Sequence, residues 1–538
     1  MLSKQAQKIC FFSAVLISVA SALLLCTFSS LLGNINQDEG WYLYAAKSVA
    51  AGLHPYKDFF YTQAPVMPWF YSCFEWLWGD YGVLGGRVFT TAIGFMSSIC
   101  VAAMAFRATS KQHSNEAGLI AFALVTCNLY HVYFTTIPKT YALAALFLYS
   151  GYLLLSFCFC RENETAARSQ HMWALPAGFL IALAAGTRLS LGAVLPVTTL
   201  ALMFHYKKCG STFFWFALGG LIGLLLIFAP VFLYSRDEFI FSQSFHVSRS
   251  GYDLFMIAGS LSRLIRAYLT QFALFSMLLL AYLFLNVKGK ISDEKISSCS
   301  VNHNSIWPLI WFLSFLAVFF VHILSPHPYD DYNVPIMGLF SAALAIWVVN
   351  LFKAKEPLSL MALVVVITVN LCSFSSPLIQ EWFTEGQDRF WVLKKSQSDI
   401  NELKSAAADI TALMDGKKML LTQDTYLAVE ADLKVPRGLE MGPFGYFPDL
   451  SDAAAEKYHV FNRAGMHKLL SQAPCEVAAF SGYGLAIRAP VMDQVPYKEY
   501  QIFMHELSSN YDFVQEIPDF AQNGTLLQIL KRRRNLAE

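Results

Sequence analysis

Two adjacent carboxylates, Asp38 and Glu39, follow the first long apolar run, Ile9–Leu32, inside the stretch Asn36-Gln37-Asp38-Glu39-Gly40-Trp41-Tyr42-Leu43-Tyr44. An ionised carboxylate within hydrogen-bond reach of a hydroxyl can take its proton as the oxygen attacks, which is worth ~10²–10⁴-fold in rate. Asp38 is assigned that role. Adjacent residues at a helix start or in an extended segment do not share a face, so Glu39 cannot approach the same proton equally. Glu39 is left to orient the loop or to bind an acceptor. The same residue types also make ordinary helix caps, here after Asn34 and Asn36, so the surrounding pattern has to decide between chemistry and capping.

The surroundings are those of a membrane protein. Of the 538 residues 56% are hydrophobic and only 14% charged, and the apolar residues come in blocks that meet the ~20 residues a crossing helix needs. Ile9–Leu32 is too long for the apolar part of a cleaved signal, and further spans follow it. These are Val83–Phe106, Ala117–Thr136, Tyr141–Cys160, Met172–Gly186, Leu189–His205, Phe213–Tyr234, Leu264–Leu285, Ile306–Leu324, Val334–Leu351 and Leu358–Phe374. That gives about eleven crossings. Most of the eleven cysteines lie inside the apolar blocks, with no CxxC and no Cys/His spacing for zinc, so no disulfide framework or structural metal is indicated.

The weak point of the count is Met172–His205, which reads as one long tilted helix or as two short ones separated at Thr187-Arg188. Lysine and arginine favour two. With the N-terminus inside, the cytoplasmic segments carry Lys4/Lys8, Arg107/Lys111, Arg161/Arg168, Lys207/Lys208, Lys288/Lys290/Lys295 and Lys353/Lys355. Three outer segments then face one another: a first loop over 33–81, a second over Ser235–Arg263, and a short third over Ser325–Asn333. Trp41, Tyr42, Tyr44, Phe59, Phe60, Tyr61, Trp69, Phe70 and Tyr71 in the first loop suit helices lying in the membrane interface. The expected organisation is a polytopic α-helical membrane domain over 1–379 and a small soluble α/β domain over 380–538. In the second part a helical pattern runs from Phe390 to Leu413, followed by Met419-Leu420-Leu421, Met466–Ser471, Val477–Phe480 and Thr525–Leu530, around a Gly/Pro-rich middle. The C-terminal domain is expected on the outer side of an inner (plasma) membrane, opposite a cytoplasmic N-terminus.

Asp38-Glu39-Gly40, then Gly52-Leu53-His54-Pro55-Tyr56 with Asp58, then Tyr61-Thr62-Gln63-Ala64-Pro65 with Pro68-Trp69, resemble in order and spacing the first outer loop of the GT-C glycosyltransferases. The resemblance is to the bacterial protein-mannosyltransferase-like and aminoarabinose-transferase-like group (glycosyltransferase family 39-type). It extends loosely through Gly186-Thr187-Arg188 and the Tyr329/Tyr332/Pro335 segment. It implies transfer of a hexosyl or pentosyl unit, with inversion, from a polyprenyl-phosphate-linked donor to an outer acceptor in envelope glycan, glycolipid or glycoprotein assembly. Asp38 and Glu39 are then the catalytic carboxylates, and His54, Tyr56, Asp58, Tyr61 and Gln63 bind substrate. The competing readings are a glycolipid transporter or flippase, and a polysaccharide ligase or polymerase using a diphosphate-linked donor. Nothing points to nucleic acid.

A lipid-phosphate leaving group calls for a cation at the membrane boundary. Related first loops often place a basic residue before the turn proline, but this chain has Gln63 there, so the charge must come from Lys139, Arg188 or Arg249. His327, Tyr329 and Tyr332, with Asp330 and Asp331 between them, offer rings to stack on a sugar and carboxylates to accept its hydroxyls. Some relatives use a divalent cation; Asp38, Glu39, His54 and Asp58 have no spacing that predicts one. Partners are therefore the bilayer, the lipid-linked donor, and a glycan, lipid or protein acceptor.

Overall fold

A computed structural model of the chain describes residues 3–158, 170–205, 212–247, 253–287, 306–352, 358–384, 390, 395–416, 418–488, 493–521 and 524–533. Helix α1 (Lys4–Leu32) opens on a Ser3 cap whose hydroxyl accepts the Ala6 amide. At 1.5 Å per residue its 29 residues are more than enough for a hydrocarbon core of ~30 Å. The first loop holds α2 (Gln37–Ala50), α3 (Val66–Cys73) and α4 (Glu75–Trp78), and α5 (Gly82–Ala108) re-enters the apolar region. Five helical segments are long and apolar enough to cross a membrane, or seven if each of two bent pairs is one span, and four shorter apolar helices accompany them among the described residues.

The bent pairs have local causes. Helix α6 (Ser114–Thr126) meets α7 (Leu129–Thr136) at 70°. Asn128 sits at the corner, accepting the His131 amide as the α7 cap while donating to the Ala267 carbonyl. Helices α8 (Thr140–Ser156), α9 (Ala174–Thr187), α10 (Val194–His205), α11 (Thr212–Tyr234) and α12 (Arg236–Val247) follow. Where α9 packs on α11, Gly178 and Gly219 bring backbones together so closely that a Cβ on either would lie 2.0 Å from a carbonyl of the facing helix. Close backbone approach through small residues is the usual way helices adhere in lipid.

The expected span Leu264–Leu285 is corrected: it is two helices, α13 (Leu254–Ala267) and α14 (Leu269–Val287), crossing at 90°. Asp253 caps α13, Leu254 and Phe255 stand exposed, and Leu264 is buried, so α13 is amphipathic and lies across the end of α14. An apolar stripe with Arg263 and Arg266 beside it suits an interface rather than a crossing. The remaining apolar helices are Trp307–Ile323, Met337–Phe352 and Leu358–Ser375, the second entered through a tight 3-10 segment, Asp330–Ile336. Helix Pro377–Thr384 runs across residue 380.

From helix Asp399–Ala412 onward the chain builds a four-stranded mixed sheet. Strand β1 (Leu420–Leu421) lies parallel to β2 (Val477–Phe480), β3 is Tyr511–Phe520, and β4 (Thr525–Arg532) is antiparallel to both β2 and β3, giving the order β1-β2-β4-β3 across the sheet. Leu420, Val477, Ala479, Leu527 and Ile529 are buried with Ile400, Leu403 and Ile410 of the helix.

The same buried cluster takes in the aromatic first loop, which corrects its expected place on the bilayer surface. Tyr56, Phe59, Phe60, Tyr61 and Tyr71 are all at or below 1% exposure, and the loop packs against Phe239, Phe241, Phe444 and Phe447. Sandwiched between helices and sheet domain, these rings lose more water than a headgroup layer would remove. Trp76 and Tyr81, at 72% and 69% exposure, keep the outward position.

Candidate active site

Asn36 begins the site by ending the linker after α1. Its side chain accepts the Asp38 amide while Glu39 accepts the Asn36 amide at 2.8 Å, a reciprocal cap that fixes the first turn of α2. Glu39 points into the molecule, fully buried, and is gripped by Arg87 of α5 through Nε at 2.6 Å and Nη2 at 2.7 Å. The rest of the Arg87 guanidinium donates to the carbonyls of Ser30, Gly33 and Asn34. A buried pair survives only when its donors and acceptors are satisfied in this way. Glu39 therefore orients the loop.

Asp38, one residue earlier, faces the other way and stays 29% exposed at its side chain. Lys139, at the start of α8, donates to it at 2.9 Å and to Asp331 at 3.5 Å. Tyr141 donates its hydroxyl to the same Asp331 oxygen at 2.9 Å. Arg188, where α9 breaks, lies with its guanidinium carbon 4.4 Å from the Tyr332 ring centroid and 5.0 Å from that of Tyr141. Its Nη1 reaches Thr140 at 3.4 Å, and its Nε is buried without a hydrogen-bond partner among the described residues. Asp330 accepts from Tyr130 and from Arg263 Nε, the latter at 3.0 Å. Four chain breaks thus converge: the α1–α2 linker, the α7–α8 turn, the α9–α10 junction and the 3-10 entry at 330.

The remaining sequence candidates divide. His327 and Tyr329 line a 330 Å³ groove with Asp253, Phe255 and Arg263, beside Asp330. The Tyr329 ring is 5.4 Å from that of Tyr332, so this groove adjoins the cluster. Tyr61 is buried with its ring 6.3 Å from Tyr42, and its hydroxyl has no partner among the described residues. Tyr56 adopts a positive φ of 70° and donates to the Gln63 carbonyl at 2.5 Å, closing the loop on itself. His54 and Asp58 bond to each other, with His54 mostly exposed, and Lys57 between them offers its carbonyl to His459 of the sheet domain. These four hold the loop's shape. Arg249 lies outside the described residues.

Sequence reasoning passed over Arg87, Asp331 as a partner of Lys139, and the contacts from the sheet domain. Arg87 carried a usable signal, since an arginine inside an apolar run demands a buried partner. The sheet domain reaches the same turn of α2: Ile35 donates its amide to Asp399 at 2.9 Å, and Gln37 Nε2 donates to Asp424 at 3.1 Å. Burial pushes the Asp424 carboxyl above the ordinary carboxylate range, opposed by hydrogen bonds from Ser481, Tyr426 and Gln37. Glu440 in the same domain is raised to about 7 by burial, despite accepting the Gly438 amide.

A divalent cation does not fit this donor set. The two carboxylates nearest each other in role, Asp38 and Asp331, are bridged by the Lys139 ammonium. Among the described residues no three His, Cys, Asp or Glu side chains gather as a metal would require.

No family model matches the sequence, and no curated protein matches it. Solved structures do match in fold. ArnT from Cupriavidus metallidurans in the apo state aligns with a TM-score of 0.60 at 14% identity, covering 97% of this chain and 98% of that one. The same protein bound to undecaprenyl phosphate aligns with a TM-score of 0.59 at 13% identity, covering 97% and 99%. The match in fold extends over almost the whole of both chains, and the chain has the GT-C fold that its first loop resembles.

Proposed function

We propose that the chain is an inverting membrane glycosyltransferase that moves a sugar from a polyprenyl-phosphate-linked donor to an extracytoplasmic acceptor, with Asp38 as base. One observation carries the reading: a partly exposed carboxylate is bonded to Lys139, and Arg188 is stacked on Tyr141 and Tyr332, where four chain breaks meet. The ArnT structure with undecaprenyl phosphate supports a lipid phosphate as the donor's carrier.

In the reaction the acceptor oxygen forms a bond to the anomeric carbon as the bond from that carbon to the phosphate oxygen breaks. The acceptor proton goes to Asp38, and the bonding pair leaves with the polyprenyl phosphate. Charge developing on the phosphate is met by cations fixed beforehand, which is where electrostatic stabilisation is most effective. Lys139 already neutralises Asp38, so it is not free to serve as the whole phosphate site. Arg188, held flat on two rings with an unpartnered Nε, supplies the remaining charge. The groove lined by His327 and Tyr329 adjoins these cations and suits part of the donor or acceptor.

The test is Asp38→Asn in the purified full chain, assayed with a polyprenyl-phosphate sugar. Loss of the base is expected to lower kcat by ~10²–10⁴-fold with the fold retained. Turnover at the level of the unchanged protein would remove Asp38 as base. A diphosphate-linked donor used in preference would replace the proposed substrate class by the ligase or polymerase reading.

A further inference from the structure

The first turn of α2 is held from two sides. Arg87 grips Glu39 from the membrane domain, and the sheet domain grips Gln37, the residue before Asp38. Asp424 is fully buried at the end of β1 and its hydrogen bonding is extensive. One oxygen accepts from Gln37 Nε2 at 3.1 Å, Tyr426 at 2.9 Å and the Ser481 hydroxyl at 2.7 Å, and the other accepts the Ser481 amide at 2.6 Å. Ser481 follows β2, so Asp424 ties the ends of two parallel strands to each other and to α2.

A second contact lies on the same turn. A Cβ placed on Gly40 would stand 2.3 Å from the Tyr426 amide nitrogen and 2.8 Å from Thr425 Oγ1. The backbone of α2 therefore sits directly on the start of the helix Thr425–Glu430, at a distance only glycine permits. Trp41 continues the contact, its ring 4.4 Å from that of Phe444. Three positions around Asp38 are thus set by the sheet domain: 37 by a hydrogen bond, 40 by backbone contact, 41 by ring packing.

We propose that Gln37 and Asp424 are positioning residues for Asp38, so that the sheet domain is a working part of the active site. The proposal rests on Asp38 being the base. Neither residue touches the acceptor; each acts through the orientation of the first helical turn. A displacement of about 1 Å at a reacting group can cost ~10²-fold in rate, so a single lost anchor is enough to be read in kcat. Donor binding is carried by Lys139 and Arg188 on other elements and is left in place.

The experiment uses the full chain in detergent with a polyprenyl-phosphate sugar, and three variants. Gln37→Leu removes the bond that crosses to α2 but leaves Asp424 its three hydrogen bonds from Tyr426 and Ser481 within the sheet domain. It is expected to lower kcat ~10–100-fold with donor KM within about threefold. Hydrogen exchange at the amides of 38–43 should quicken while exchange in α5 does not change. Gln37→Glu sets two carboxylates against each other. Adding Asp424→Asn to it gives an amide that donates to residue 37 while its carbonyl still accepts the Ser481 amide, and turnover is expected to recover toward the unchanged protein. The proposal is overturned by Gln37→Leu turning over normally, by a fall in kcat without faster exchange in α2, or by a double variant no faster than Gln37→Glu. If the unchanged chain transfers no sugar, the proposed reaction fails instead. The exchange at α2 still reads the coupling without any turnover.

Discussion

Arg188 shows how one residue type can be specified by its surroundings. A guanidinium is flat and weakly hydrated, and it lies on aromatic faces where an ammonium would lose its water without replacement. Between Tyr332 and Tyr141 that flatness is used, and Nε stays without a hydrogen-bond partner among the described residues. Arg188→Lys keeps the charge but not the plane, and is expected to raise donor KM at least ~10-fold, with Arg188→Ala lowering kcat/KM ~100-fold. Steady-state kinetics with competition by free polyprenyl phosphate measure both. A lysine variant with unchanged KM would place the phosphate elsewhere. Asp38, Lys139 and Arg188 were each legible as charges at the edges of apolar runs. Asp331 was visible too, but only as a carboxylate that could accept a sugar hydroxyl, because nothing local reveals that Lys139, 192 residues earlier, donates to it.

The elements that carry these residues are short, and their ends are set by single side chains. Arg87 closes the α1–α2 linker by filling the carbonyls of Ser30, Gly33 and Asn34 while pairing with Glu39. Replacing it by Met leaves a fully buried carboxylate alone, a change that costs about 3–5 kcal/mol. Arg87→Met is therefore expected to lower the thermal midpoint sharply, and Arg87→Met with Glu39→Leu to recover much of that stability. The double variant should still turn over slowly, since the carbonyls of Ser30, Gly33 and Asn34 lose the Arg87 donors and α2 loses the Glu39 half of its reciprocal cap. Unfolding and turnover measured on the same preparations separate the two effects; full activity in the double variant would make the pair a matter of stability alone. Hydropathy reveals α5 to within two residues at each end and the end of α1, which opens at Lys4, ahead of its apolar run. It missed the break between α13 and α14, because an amphipathic helix joined to an apolar one gives a continuous hydropathic signal. It also put the first loop's rings in the interface, since an aromatic residue reads alike whether lipid or another domain covers it.

At the scale of the whole molecule, the converging cluster constrains how the chain crosses the membrane. Asp38, Lys139, Arg188 and Asp331 lie in contact or share rings, so the breaks that carry them are on one face. An even number of crossings must then separate each from the next. Helix α5 and the bent α6–α7 pair lie between Asp38 and Lys139, and α8 and α9 lie between Lys139 and Arg188. Between Arg188 and Asp331 come α10, α11, the α13–α14 pair and helix Trp307–Ile323. Taking α9 and α10 as one tilted span would strand Arg188 in mid-bilayer and break the pairing. The bonds from Ile35 to Asp399 and from Gln37 to Asp424 bring the sheet domain to the same face, after two further helices, Met337–Phe352 and Leu358–Ser375. The positive-inside rule, applied to Lys4 and Lys8 in the first turns of α1, is the ground on which that face is proposed as the outer one. A reporter fused after residue 208 is therefore expected to read as cytoplasmic and one fused at 538 as extracytoplasmic. Both on one side would break the even count, and with it the outer position proposed for the active site.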